Sequence, residues 1–243
     1  MLVKGKNVLV IGASGDIGAA ITKRLAQEGY HLILHYYSNR AAIDALWNDE
    51  TEQQILQLIQ ADLSNQEGIE QLLASLVFNV DSIIFASGRA AYGLFQEMDE
   101  GTINEMLYLH VKAPLLITKQ ILPELIRKNS GHIIFITSIW GEIGASNEVL
   151  YSTVKGAQNS FVKALAKEIG LTDICVNAIS PGFIDTKMNA LLSIEEKNAI
   201  YEKIPLKRAG TPHEIAETVI FSLDAASSYM NGQIIQISGG WMI

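Results

Sequence analysis

The chain has 243 residues, 49% hydrophobic and 18% charged, a globular composition that excludes a disordered chain and a length that fits one domain over residues 1–243. A formal net charge of -8 argues against nucleic acid or an anionic membrane as partner, because both select clustered Lys and Arg. The single cysteine, Cys175, excludes an intramolecular disulfide, and no apolar run approaches the ~20 residues of a membrane helix, so a cytoplasmic protein is expected.

Residues 6–11, KNVLVI, read as a buried strand, and the turn Gly12-Ala13-Ser14-Gly15-Asp16-Ile17-Gly18 carries it into an amphipathic helix ended by Gly29. A second strand covers 31–36, followed by polar Ser38-Asn39-Arg40 and a helical run through Trp47. A third strand at 55–61 ends at Asp62. Helical spacing over 67–77 precedes a fourth strand at 81–86. A long helical region spans 102–128 with Pro114 inside it. A bend or a division is expected there, because proline lacks the N–H and its ring crowds the carbonyl four residues back. A fifth strand at 132–137 delivers Ser138, a helix over 150–169 is closed by Gly170, and a sixth strand at 174–179 leads into Ser180-Pro181-Gly182. Cys175 lies in that apolar strand and reads as a small buried hydrophobe. Helical stretches near 189–203 and 212–224 come before a last strand at 233–237.

This alternation implies one doubly wound Rossmann-type α/β domain, a mostly parallel seven-stranded sheet with helices on both faces. Such sheets bind ligands beyond the carboxyl ends of their strands, which is where Ser14, Asp62, Gly88, Ser138 and Gly182 fall.

Tyr151 and Lys155 are four residues apart and share one face of a helix. An ammonium beside a phenol favours the phenolate, so the lysine is expected to lower the tyrosine pKa and suit it to pass a proton to a carbonyl oxygen. The glycine turn lets backbone N–H groups and a helix N-terminus approach a pyrophosphate. Asp62 can accept a hydrogen bond from an adenine amine or cap the helix after it. No acid occurs in residues 35–40, where a carboxylate would bind a ribose 2'-hydroxyl and repel a 2'-phosphate. NADP(H) is therefore the expected cofactor, with Ser38, Asn39 and Arg40 as candidate phosphate contacts. Arg40 is equally well read as a solvated surface charge. No metal site is expected.

The stretch from Gly12 to Gly18, the Ser138, Tyr151, Lys155 set with its YxxxK spacing, and Ser180-Pro181-Gly182 together resemble a short-chain dehydrogenase/reductase of the single-domain type over the whole chain. The ending IPLKRAGTPHEIAETVIFSLDAASSYMNGQIIQISGGWMI is similar to the 3-oxoacyl-acyl-carrier-protein reductase branch. The resemblance implies that Ser138 holds the substrate carbonyl, Tyr151 donates the proton, and Lys155 tunes the tyrosine and binds the nicotinamide ribose. It also implies cofactor contacts at Gly12, Ser14, Gly15, Asp16, Ile17 and Gly18, at Asp62 and Leu63, at Ser87 and Gly88, and at Pro181, Gly182, Ile184 and Thr186. The helix over 189–203 would act as a mobile lid.

There are departures from the pattern. Ile11 replaces a threonine, Asp16 stands where a glycine is usual, and Phe85-Ala86-Ser87-Gly88 lacks two asparagines. His110 aligns with an asparagine that holds a proton-relay water, a task open to histidine. Carrier-protein reductases carry basic residues just before the fifth strand and before the sixth, whereas here those places hold His132 and Leu171-Thr172-Asp173, with Arg127 and Lys128 displaced.

LHVKAPLL, SIWG and YSTVKGAQNSF are also similar to a side branch of Firmicute reductases acting on a ketone of modified elongation factor P, of the 5-aminopentanone type. The expected substrate is a small-molecule or carrier-bound ketone. A non-catalytic dinucleotide-binding regulator is the competing class, and the intact Ser138, Tyr151 and Lys155 argue against it. By the same resemblance a homotetramer is expected, with Trp241-Met242-Ile243 as a buried terminus.

Overall fold

The computed structural model describes residues 5–46, 52–190 and 192–241. Strand β1 (Asn7–Ile11) leads through helix α1 (Asp16–Gln27) to β2 (His31–Tyr36), α2 (Arg40–Asp44) and β3 (Ile55–Gln60). Helix α3 (Gln66–Ser75) returns the chain to β4 (Ser82–Phe85). Next come α4 (Glu100–Leu107), α5 (Ala113–Lys128), β5 (Gly131–Ile136), α6 (Trp140–Ile143), α7 (Val149–Glu168) and β6 (Ile174–Pro181). Helices α8 (Ile194–Tyr201) and α9 (Pro212–Leu223) precede β7 (Ile234–Ile237).

The sheet order is β3-β2-β1-β4-β5-β6-β7, and every pairing is parallel. The strand order reverses between β1 and β4, which opens a crevice at their carboxyl ends.

Alternate residues of these apolar strands feed two cores. Leu9, Ile33, Phe85, Phe135 and Val176 pack with Leu72 of α3, Ile117 of α5 and Val162 of α7. On the other face Val8, Val10, Leu34, Ile134 and Ile179 pack with Leu25 of α1 and Val219 of α9. This explains why the strands read as continuous apolar runs: both faces are covered.

Pro114 divides its helical region. Residues Tyr108–Lys112 form a π-helical turn between α4 and α5, closed by the Ala113 N–H donating to the Tyr108 carbonyl. Pro123 lies inside α5 without breaking it. The carbonyl four residues back belongs to Lys119 on the exposed face, where water can satisfy it.

The stretch 189–203 is not one helix. Lys187–Asn189 forms a short 3₁₀ turn, and α8 starts afresh because Ser193 and Glu196 make a reciprocal capping box. The helical run expected through Trp47 is α2, ending at Asp44, and Trp47 lies outside the described residues, as do Met242 and Ile243. Cys175 is buried, as its setting suggested. No helix among the described residues is long and apolar enough to cross a membrane.

Candidate active site

A crevice of about 350 Å³ lies at the carboxyl ends of β1, β4, β5 and β6. The first turn of α1 supplies Ser14, Gly15, Asp16 and Ile17 to its lining, and Asn39 comes from the end of β2. The segment after β4 supplies Ser87 and Gly88, and that after β6 supplies Pro181, Gly182, Ile184 and Thr186. Ser138, Tyr151 and Lys155 complete the wall. Ala86, Ile136, Thr137 and the run Lys187-Met188-Asn189 also line it. Of these, only Asn189 was expected near the site, at the start of the 189–203 lid segment; for the others adjacency to recognised positions was the sole signal.

Other expected cofactor residues stand outside the crevice. Gly12 has φ +85, and a Cβ there would lie 2.5 Å from the Ser87 Cα. At Gly18 a Cβ would come within 2.1 Å of the Gly12 carbonyl oxygen. Both glycines therefore shape the turn from beneath. Asp62 spends one oxygen on Ser64, accepting from its N–H at 2.9 Å and its hydroxyl at 2.7 Å. Asn65, not Asp62, caps α3, and Leu63 is buried. Ser38 is exposed, and Arg40 pairs with Asp44 at 2.7 Å on the surface of α2.

The turn fits a group that carries phosphates. Gly15 is the N-cap of α1 and offers no side-chain cap, whereas α3, α4, α8 and α9 are all capped by side chains. The first N–H groups of α1 thus keep their donors for a ligand. Asp16 ties this turn to the segment after β6 by accepting from the Lys187 N–H at 2.6 Å.

His35 supports the turn from behind, a part its place in an apolar strand did not disclose. Its Nδ1 accepts from the Gly12 N–H at 3.2 Å, so Nε2 carries the proton and donates to the Ala61 carbonyl at 3.0 Å. Burial pulls its pKa down to about 4.

Helix α7 presents Tyr151 and Lys155 on one face. The Lys155 ammonium donates to the Ile136 carbonyl at 2.9 Å and to Gln158 Oε1 at 3.3 Å. It stands 5.7 Å from the Tyr151 ring centroid. The expected lowering of the tyrosine pKa is not found. Burial raises it, the Glu148 carboxylate adds to the rise, and a hydrogen bond with Ser138 opposes it. The physical reason is that the ammonium is turned to backbone and amide oxygens, while burial lowers its own pKa to about 7.

Ser138 is nearly buried, and its Oγ accepts from the Trp140 N–H at 3.2 Å. The Trp140 ring meets Trp241 edge-on with centroids 5.3 Å apart, joining the loop after β5 to the carboxyl-terminal segment. A side chain at Gly88 would come 3.5 Å from His110 Cε1 and 3.9 Å from Lys155 Nζ.

His110 lies behind Tyr151 rather than in the crevice lining, the two rings edge to face with centroids 5.9 Å apart. Its Nε2 is shared between the Arg89 carbonyl at 3.0 Å and the Arg89 N–H at 3.3 Å, and its Nδ1 is buried without a partner. Burial, then the Lys155 charge, holds its pKa well below the ordinary histidine value, so the ring is neutral.

A family model described as enoyl-(acyl carrier protein) reductase matches residues 12–242. The chain is 45% identical over 239 residues to an uncharacterized oxidoreductase of Bacillus subtilis, YmfI, covering 97% of this chain and 98% of that protein. It is 33% identical over 243 residues to the 3-oxoacyl-[acyl-carrier-protein] reductase FabG of Aquifex aeolicus, covering 98% of each. Among solved structures, a Brucella melitensis protein titled short-chain dehydrogenase/reductase SDR:glucose/ribitol dehydrogenase matches with a TM-score of 0.89 at 26% identity. That match covers 100% of this chain and 98% of the other.

Proposed function

Because the chain belongs to the short-chain dehydrogenase/reductase family, whose members are oxidoreductases with a nicotinamide dinucleotide cofactor, we propose that it is an NADPH-dependent carbonyl reductase. It converts a ketone to a secondary alcohol, most like a 3-oxoacyl-acyl-carrier-protein reductase. The observation carrying this reading is the meeting of Ser138, Tyr151 and Lys155 with the uncapped turn of α1 in one crevice.

A nicotinamide held in this crevice would supply the hydride. Ser138 already accepts from the Trp140 N–H, and its hydroxyl proton is directed to the substrate oxygen. Tyr151 is held as the protonated phenol by its raised pKa, the form a proton donor needs. The hydrogen bond with Ser138 favours the phenolate left after transfer, and the charged Lys155, with one proton free toward the crevice, would bind the nicotinamide ribose. The unpartnered Nδ1 of the neutral His110 would accept from a relay water that returns a proton toward the site. NADP is favoured by the lack of a carboxylate in residues 35–40, with Asn39 in the crevice and Arg40 free to exchange Asp44 for a 2'-phosphate.

A second reading, reduction of the 5-aminopentanone-type ketone on elongation factor P, draws support from charge. Glu148 lies close enough to raise the Tyr151 pKa, and Glu142 accepts from the Ser180 hydroxyl at 2.7 Å. The Glu148 carboxylate beside Tyr151, with Glu142 held at Ser180 near the end of β6, favours a substrate bearing an amine. An acidic carrier meets little free positive charge at the amino edge, where Arg127 pairs with Glu124 and Lys128 with Asp81. Exposed Leu107 and Leu115 on α4 and α5, and Phe221 on α9, support a homotetramer, for which sedimentation is the check.

The test is NADPH oxidation against acetoacetyl thioesters of carrier protein and of coenzyme A, beside ketone-bearing elongation factor P, with NADH at equal concentration in parallel. Turnover on one of these ketones with NADPH preferred is expected. A clear NADH preference overturns the cofactor reading, and tight NADPH binding without turnover on any ketone points to a regulator.

A further inference from the structure

We propose that Gln158 is a positioning residue for Lys155, tying the ammonium to the carbonyl that Pro114 sets free in the long helical region. With no N–H at position 114, the His110 carbonyl has lost its helical donor, and the π turn before it redirects the neighbouring bond to Tyr108. Gln158 supplies the missing donor: its Nε2 donates to the His110 carbonyl at 2.7 Å. That bond fixes the amide, because only Oε1 is then left to face Lys155 Nζ, at 3.3 Å.

Gln158 is 5% exposed, Lys155 2% and His110 0%, so each of these polar groups depends on its protein partner. The ammonium has three protons. The Ile136 carbonyl takes one and Gln158 another, and the third remains for the crevice. On its own helix Lys155 also faces Tyr151. The break between α4 and α5 presents neutral His110, with Arg89 beyond it, and the loop after β4 presents Gly88. Burial alone accounts for the lowered Lys155 pKa, so Gln158 is the one side-chain acceptor favouring the charged form.

This inference rests on the Lys155 role proposed above, in which the charged lysine is the working form. Activity is then lost as pH rises through the Lys155 pKa. The experiment compares the pH dependence of kcat, at saturating NADPH and ketone, for the wild type, Gln158→Leu, Gln158→Glu and Lys155→Met.

Removing the acceptor in Gln158→Leu should lower kcat about tenfold and move the alkaline limb down by about half a pH unit. A carboxylate in Gln158→Glu should move that limb up by about one unit. A purely structural glutamine would not shift the limb in opposite directions. Gln158→Leu with an unchanged limb and wild-type kcat overturns the inference, and where that variant does not fold, the equally long Gln158→Met carries the same expectation. Wild-type turnover in Lys155→Met would instead overturn the role of Lys155 itself.

Discussion

His35 and His110 stand behind opposite ends of the crevice, both buried and both held neutral, yet their surroundings treat them differently. At the corner of β1, β2 and β3, each His35 nitrogen has a backbone partner, the Gly12 N–H on one side and the Ala61 carbonyl on the other. At the break between α4 and α5, His110 has Arg89 on one nitrogen and nothing on the other, with Tyr151 against its ring. The first is a finished joint, and the second keeps hydrogen-bonding capacity in reserve beside the Tyr151 phenol. Burial and protonation state do not separate these two histidines, whereas the number of partners on their ring nitrogens does.

The largest expected effect falls on the His110 side. Tyr151→Phe keeps the ring packed on His110 and removes the proton, so kcat should drop about 10²- to 10⁴-fold while affinity for the nicotinamide cofactor and melting temperature stay near wild type. Full activity in this variant would remove the proton-donor assignment.

On the other side, His35→Leu leaves the Gly12 N–H and the Ala61 carbonyl without partners. Denaturant unfolding should show a loss of about 2–4 kcal/mol, with weaker cofactor binding that His35→Asn partly restores. Equal stability in His35→Leu would break the comparison.

Acid sharpens it further. The folded His35 pKa, about 4, lies below the ordinary 6.5, so its contribution is fully present above pH 6.5 and is lost as pH falls toward 4, a span worth about 3 kcal/mol. The urea midpoint should fall over that window, and fall less steeply in His35→Asn. The smallest effect is expected for His110→Asn, which restores the asparagine of related reductases. Its stability should change by less than about 1 kcal/mol, with turnover largely kept, and a collapse in turnover would make the imidazole itself indispensable.

The sheet was legible because its strands are apolar on both faces and its turns carry glycine, proline and polar residues at the carboxyl edge. Ser138, Tyr151 and Lys155 were legible because spacing alone puts two of them on one helical face and strand order delivers the third. The supports behind them were not. His35 hides in the pattern HLILHY, where nothing marks an imidazole that reaches back to a loop twenty-three residues earlier. Gln158 reads as an ordinary polar residue of an amphipathic helix until Pro114 is known to have freed the His110 carbonyl. The direction of the Tyr151 pKa was misjudged for a related reason. Spacing puts the lysine on the right face, but the Ile136 carbonyl and Gln158 decide where its ammonium points. Arg40 was an open choice between ligand contact and surface charge, and it forms an ion pair with Asp44 on the surface of α2.

Trp140 follows Ser138 by two residues and Trp241 lies near the far end of the chain, yet their indoles meet at 5.3 Å. Two chromophores that close couple their electronic transitions. The pair therefore gives the protein an optical signature, a circular dichroism couplet that persists only while the carboxyl-terminal segment rests on the loop after β5. Assembly of this part of the site can be followed by light alone, with no substrate, cofactor or attached probe.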